Sequence, residues 1–310
     1  MLSVHFGPVQ CIMNFTRKDC TFTSHGDKCA AWLYMPDGVT NPSLVVMAHG
    51  FGGFRNCGLE PFAEAFAAEG IAVLLFDYRC FGLSEGTPRQ WISPKRHVED
   101  YISAVEWARE QGIFNSEKIG LWGTSFSGGH VMVVASKDPK IAAVSAQVPF
   151  VSGIASSTPI IIHNGFGFLY KAISSGLKDL WRAARKKEAY TVPVFSEPGD
   201  FAVLNTRDSK SGYESLIPEG FEVDNSTPAR IFLTMSLYRP TTVVRKIKCP
   251  VLVAAGENDS LIPLMSVKKA VAKMKNAEFI QLPMDHFDPY LGESFKKVSE
   301  KQIEFFKKYL

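Results

Sequence analysis

Ser125 stands in the run Lys118-Ile-Gly-Leu-Trp-Gly-Thr-Ser-Phe-Ser-Gly-Gly-His130, where a short apolar strand passes directly into a serine with small neighbours. A tight strand-to-helix turn of this kind lifts a hydroxyl clear of a sheet and aims the following amide, here that of Phe126, at a developing oxyanion. The chemistry this suggests is nucleophilic attack on a carbonyl. Two positions before Ser125 is Gly123; two positions after it, where glycine is usual, is Ser127. An alternative frame makes Ser127 the nucleophile, but it would place that serine inside the helix rather than at the turn.

A serine hydroxyl needs a base, and the base needs an orienting carboxylate. Both are expected at strand ends later in the chain. Asp259, in Gly256-Glu-Asn-Asp-Ser-Leu-Ile-Pro263, follows an apolar strand that begins near Cys249. His286, in Pro283-Met-Asp-His-Phe-Asp288, follows a second strand ending at Leu282 and is the only histidine in the last third of the chain. Glu257 and Asp285 are nearby carboxylates that could also orient it. A second oxyanion amide is expected from Phe51, in Leu44-Val-Val-Met-Ala-His-Gly-Phe-Gly-Gly53, since Gly50 and Gly52 let the backbone turn toward a substrate oxygen. Asp77 and Arg79, after the next strand, read as residues that hold loop geometry.

These groups need a scaffold that brings strand ends to one edge. Residues 20 to 36 and 44 to 49 read as strands, with Gly26-Asp27 and Pro36-Asp37-Gly38 as turns. A helix from Pro61 to Gly70, a strand 71 to 76, a helix Glu99 to Gln111, a strand 118 to 122, a helix 127 to 136 and a strand 141 to 146 follow. Such alternation implies a mostly parallel sheet with helices on both faces. Between 151 and 241 the rhythm stops; it resumes with a strand to Gly256, a helix 265 to 275, a strand 278 to 282 and a helix 293 to 310. The expected organisation is a core of residues 1–150 and 242–310 with an inserted cap, 151–241. The aromatic stretch Ile160 to Tyr170 suits either an acyl pocket or packing of the cap on the core.

Bulk properties narrow the function. The 310 residues are 46% apolar, and 34 Lys+Arg against 31 Asp+Glu leave +3, well short of the basic excess of a nucleic-acid binder. The cationic run Lys178 to Lys187 reads as one solvated helix face. Six scattered cysteines, with no Cys-x-x-Cys pair, point to neither a disulfide scaffold nor a zinc site. The N-terminal residues lack the features of a secretory signal, and no apolar run approaches the ~20 residues of a membrane span. A soluble, cytoplasmic protein is expected, with oligomeric state open.

Together, His49-Gly-Phe-Gly-Gly, Asp77-Tyr-Arg-x-Phe-Gly-x-Ser-x-Gly, Gly-Thr-Ser125-Phe-Ser, Gly-Glu-x-Asp259-x-x-x-Pro and His286-Phe-Asp-Pro-Tyr resemble a serine α/β-hydrolase, whose triad residues follow this chain order. More narrowly, with Pro88-Arg-Gln, Val98-Glu-Asp, Trp107-Ala-Arg, Pro198-Gly-Asp-Phe-Ala and Gly212-Tyr-Glu-Ser-Leu, the chain is similar to the polyketide transferase and thiohydrolase-like hydrolases of fungal secondary-metabolite pathways. The resemblance implies the α/β-hydrolase fold, acyl chemistry on a polyketide-like ester or thioester, and no cofactor or metal. The implied partner is a small-molecule acyl substrate, with a carrier protein as one route of delivery. Serine at the elbow, where epoxide hydrolases and haloalkane dehalogenases carry Asp and dienelactone hydrolases Cys, disfavours those reactions. Two other readings stay open: proton transfer, cyclisation or condensation without an acyl-enzyme, and a catalytically silent fold used for binding.

Overall fold

The computed structural model describes residues 13–310. The N-terminal residues on which the secretory-signal expectation rests, and Cys11, lie outside the described residues. An eight-stranded sheet is built from β1 (Phe15–Ser24), β2 (Asp27–Pro36), β3 (Leu44–Ala48), β4 (Ala72–Phe76), β5 (Ile119–Thr124), β6 (Ala143–Gln147), and, after a long excursion, β9 (Val251–Gly256) and β10 (Ala277–Leu282). Their spatial order is β1-β2-β4-β3-β5-β6-β9-β10. The first two are antiparallel to their neighbours and the rest run parallel. Every residue of β3, β4, β5, β6 and β9 is buried, as strands covered on both faces must be.

Alternate residues of β3 feed two cores. Leu44, Val46 and Ala48 join the cluster that includes helices α2 (Pro94–Glu110) and α3 (Phe126–Lys137) and α7 (Leu264–Val271). Val45 and Met47 join the opposite one, with α1 (Glu60–Ala68) and α8 (Gly292–Tyr309). Helices therefore cover both faces. In α8, Val298, Phe305 and Phe306 are buried on one stripe, the period a half-covered helix requires. The helix expected from Glu99 begins five residues earlier, at Pro94, because proline suits a first helical position and His97 and Val98 extend its buried face.

Between β6 and β9 the chain adds no strand to the large sheet. It forms α4 (Gly153–Ala184), β7 (Thr191–Pro193), α5 (Ser209–Leu216), β8 (Ser226–Pro228), the short α6 (Ile231–Thr234) and three 3-10 turns to Lys246. β7 and β8 pair antiparallel in a sheet of their own. α4 is broken at Gly165, whose φ is 75°. The stretch Ile160 to Tyr170 divides by helical face: Ile160 is buried, whereas Phe166 and Tyr170 are 89% and 78% exposed. The cationic run ends α4 and is mostly exposed, but Asp179 within it is buried and accepts hydrogen bonds from Arg230 and the Tyr190 amide. The described cysteines are all free. Among the described residues no helix is long and apolar enough to cross a membrane.

Candidate active site

Ser125 joins β5 to α3 with φ 54° and ψ −119°, a conformation that costs a non-glycine residue about 1–3 kcal/mol and persists only where its surroundings impose it. Those surroundings are visible. The Ser125 amide donates to Gln147 O at 2.8 Å and its carbonyl accepts from the Phe150 amide at 2.8 Å, so the neighbouring strand end holds the turn from both sides. Gly123 is needed for a different reason: a Cβ there would lie 2.5 Å from Ser127 O. Strand and helix can fold back this sharply only without it.

His286 and Asp259 arrive from the loops after β10 and β9. The His286 Nδ1 lies 2.7 Å from Asp259 Oδ2, and its Nε2 lies 2.9 Å from Ser125 Oγ. An ionised carboxylate can only accept, so Nδ1 carries the hydrogen; Nε2 of the neutral ring is then an acceptor, and the serine hydroxyl donates to it. The other Asp259 oxygen accepts from the Leu261 and Ile262 amides at 2.9 and 2.7 Å, which locks the carboxylate. The His286 and Asp259 side chains are only 3% and 2% exposed. The alternative carboxylates are engaged elsewhere: Glu257 accepts from Gln281 Nε2 at 2.6 Å, and Asp285 is ion-paired to Arg207.

Ser127 is fully buried, with Oγ 2.9 Å from Tyr78 Oη and 2.8 Å from Tyr101 Oη. Tyr101 donates to Trp122 O at 2.8 Å. The hydrogens therefore run in one direction, Tyr78 to Ser127 to Tyr101 to Trp122 O. The rival frame at Ser127 fails because its hydroxyl is spent inside the protein and has no base. Serine stands where glycine is usual because two phenols need a bridge.

The loop of Phe51 lies against the serine, since a Cβ on Gly50 would be 3.1 Å from Ser125 Cβ. Its shape is held from the segment between β6 and β9. Gly52 has φ +64° and would place a Cβ 2.6 Å from Val194 Cγ1, while Tyr213 Oη donates to the Phe51 carbonyl. The rings of Phe51 and Phe126 meet edge to face with centroids 5.1 Å apart. Asp77 accepts from the Arg55 amide at 2.8 Å, and Arg79 binds Glu99 and Asp100, so both hold loops in place.

Behind Phe126 is a buried group that sequence reading passed over. His97 Nδ1 lies 3.3 Å from His130 Nε2, and His130 Nδ1 lies 2.8 Å from Tyr238 Oη. Tyr78 stacks on His97 at 4.0 Å and meets His49 edge to face at 4.8 Å. Burial lowers the pKa of all three histidines, His97 well below its ordinary value and His130 to about 3. They are neutral packing elements beneath the elbow. Their positions, scattered at 49, 97 and 130, give no periodic signal that could have joined them.

Two cavities meet at Ser125. One, of about 40 Å³, is walled by His286, Phe54, Phe195, Tyr213 and Phe287 among others. The second, a narrow cleft of about 20 Å³, lies across Phe51 and is bounded by Phe126, Phe150, Ile160, Leu261 and Ile262.

Residues 25–288 match the family model described as X-Pro dipeptidyl-peptidase (S15 family). A quorum-quenching protein, AidA, of Acinetobacter baumannii is 38% identical over 290 residues, covering 94% of each chain. The thiohydrolase aneE of Aspergillus aculeatus is 28% identical over 291 residues, covering 91% of this chain and 90% of its own. The crystal structure of the α/β-hydrolase GrgF from Penicillium superposes with a TM-score of 0.81 at 24% identity, covering 95% of this chain and 99% of that one. With its mostly parallel sheet, its strand-end loops and a match over most of its length, the chain is an α/β-hydrolase enzyme and belongs to the X-Pro dipeptidyl-peptidase (S15) family.

Proposed function

We propose that the protein is a serine-dependent acyl hydrolase or acyltransferase acting on an ester or thioester, a polyketide-like acyl compound being the class best matched by its relatives. The observation that carries this reading is the 2.9 Å contact between His286 Nε2 and a strained Ser125 Oγ. His286 takes the Ser125 proton as Oγ bonds to the carbonyl carbon, and the amides of Phe51 and Phe126 receive the oxyanion. The carbon–oxygen or carbon–sulfur bond of the leaving group then breaks, and His286 returns the proton to that group. Water, or an alcohol or amine, gives its proton to His286 and attacks the acyl-enzyme, and the bond to Oγ breaks as His286 returns that proton to Ser125. Asp259 stays ionised and stabilises the imidazolium.

The family's name points to peptides, but the chemistry of the cleft favours an ester. A dipeptidyl-peptidase must seat a free α-ammonium, which calls for a carboxylate. Among the described residues neither Asp nor Glu lines either cavity at Ser125. The relative named a quorum-quenching protein supports a small diffusible molecule as substrate, and the one named a thiohydrolase supports a thioester. Residues 151–241 act as a cap over a core of 1–150 and 242–310, consistent with Val194 and Tyr213 gripping the Phe51 loop. The test is intact-protein mass spectrometry after mixing with acyl thioesters. A mass increase equal to the acyl group, absent in Ser125→Ala, is expected. Turnover by Ser125→Ala at the wild-type rate would favour chemistry without an acyl-enzyme.

A further inference from the structure

The two cavities at Ser125 have unequal access to the base. His286 borders the larger one and is absent from the walls of the smaller. In acyl transfer the base that removes the serine proton delivers it to the leaving group, so the leaving group must lie on the His286 side. The acyl chain then points the other way, into the cavity bounded by Phe126, Phe150, Leu261 and Ile262.

That cavity has a neighbour across one wall. A third cavity, of about 230 Å³, runs along α4 and is lined by Phe168, Leu169, Ala172, Ile173, Phe232 and Leu233 among others. It shares two wall residues with the acyl-side cavity, Ile160 and Met235, each 6% exposed. No charged side chain lines either cavity among the described residues, and apart from Ser125 the polar side chains on this path are those of Ser156, Ser157 and Ser236. Such a lining offers nothing to an ionised chain and a great deal to a hydrocarbon.

We propose that the two cavities form one acyl channel gated by Ile160 and Met235, and that the enzyme selects substrates with a medium or long, flexible acyl chain. The proposal rests on the acyl-enzyme reading and adds the class of acyl group and the residues that measure it. A short acyl group ends before the gate. A longer one passes between Ile160 and Met235 into the space beneath α4, where each further buried methylene raises kcat/KM by roughly threefold.

The experiment compares butanoyl and decanoyl p-nitrophenyl esters on the full-length protein, with labelling of Ser125 by a small phosphonate as an independent readout. The wild type should favour decanoyl by about 700-fold in kcat/KM, roughly threefold for each of the six added methylenes. Ile160→Trp, which fills the gate, should bring that ratio close to one, and Met235→Ala, which widens it, should raise turnover of chains with a bulky distal group. Thermal melting reports whether each variant is folded; if Ile160→Trp is not, Met235→Ala decides. A wild-type ratio near one, a ratio unmoved in folded Ile160→Trp, or unchanged turnover of the bulky-ended ester in folded Met235→Ala overturns the channel and leaves the acyl-enzyme reading intact. Absence of both ester turnover and Ser125 labelling overturns that reading and the channel with it.

Discussion

Replacing Ser127 separates a structural hydroxyl from that of the proposed nucleophile two residues away. In Ser127→Ala the Tyr78 hydroxyl loses the acceptor it meets at 2.9 Å, and Tyr101 loses the donor it meets at 2.8 Å. Tyr101 still donates to Trp122 O, so one buried donor is orphaned and one acceptor bond is lost. An orphaned buried donor costs about 1–3 kcal/mol and an ordinary hydrogen bond about 0.5–1.5 kcal/mol, giving a loss of about 1.5–4.5 kcal/mol. Urea unfolding at pH 7.5 should register it as a lower midpoint with an unchanged slope. Because the orphan is Tyr78, adding Tyr78→Phe to Ser127→Ala should recover part of the loss, a coupling that a double-mutant cycle reads directly. Phosphonate labelling and kcat should survive in Ser127→Ala to within about tenfold, since neither the base nor the turn is touched. Ser125→Ala should do the reverse, with labelling gone and stability within about 1.5 kcal/mol of wild type, the bond lost being that to His286. Wild-type stability combined with lost labelling in Ser127→Ala would refute this division of roles.

Two further outcomes follow from the same geometry. His49, His97 and His130 are held below their ordinary pKa by burial, His130 at about 3. The unfolded chain binds their protons near pH 6.5 while the folded chain does not, so stability is level above that pH. Below it, each histidine that is still neutral in the fold removes about 1.4 kcal/mol per pH unit, down to its folded pKa. The urea midpoint should drop steeply from pH 6.5 to pH 5, and a flat profile would contradict neutral burial. Asp259→Asn keeps the shape of the loop but favours the wrong His286 tautomer, so kcat should fall by about 10³- to 10⁴-fold with little change in melting temperature. Comparable losses in Glu257→Gln or Asp285→Asn would move the orienting role away from Asp259.

Local sequence determined a good deal here. The elbow at Ser125, the strand ends that deliver Asp259 and His286, and the parallel alternation are short-range patterns: apolar runs of strand length, helical periods, and small residues where backbones must approach. The helix expected from Glu99 starts instead at Pro94, because the burial of His97 and Val98 against the core extends it by five residues. Other decisions belong to contacts between distant segments, which no local pattern encodes. The choice of Asp259 over Glu257 and Asp285 depends on which carboxylate the loops after β9 and β10 turn toward the imidazole. The serine at 127 looked like an irregular flank until Tyr78 and Tyr101, 49 and 26 residues away, closed on its hydroxyl. The inward and outward faces of Ile160 and Phe166 were equally apolar as letters; only the packing of α4 against Met235 and the core buries one and leaves the other 89% exposed. Hydrophobicity and period are properties of a segment, whereas a partner, a cavity and a buried hydrogen bond exist only once two segments meet.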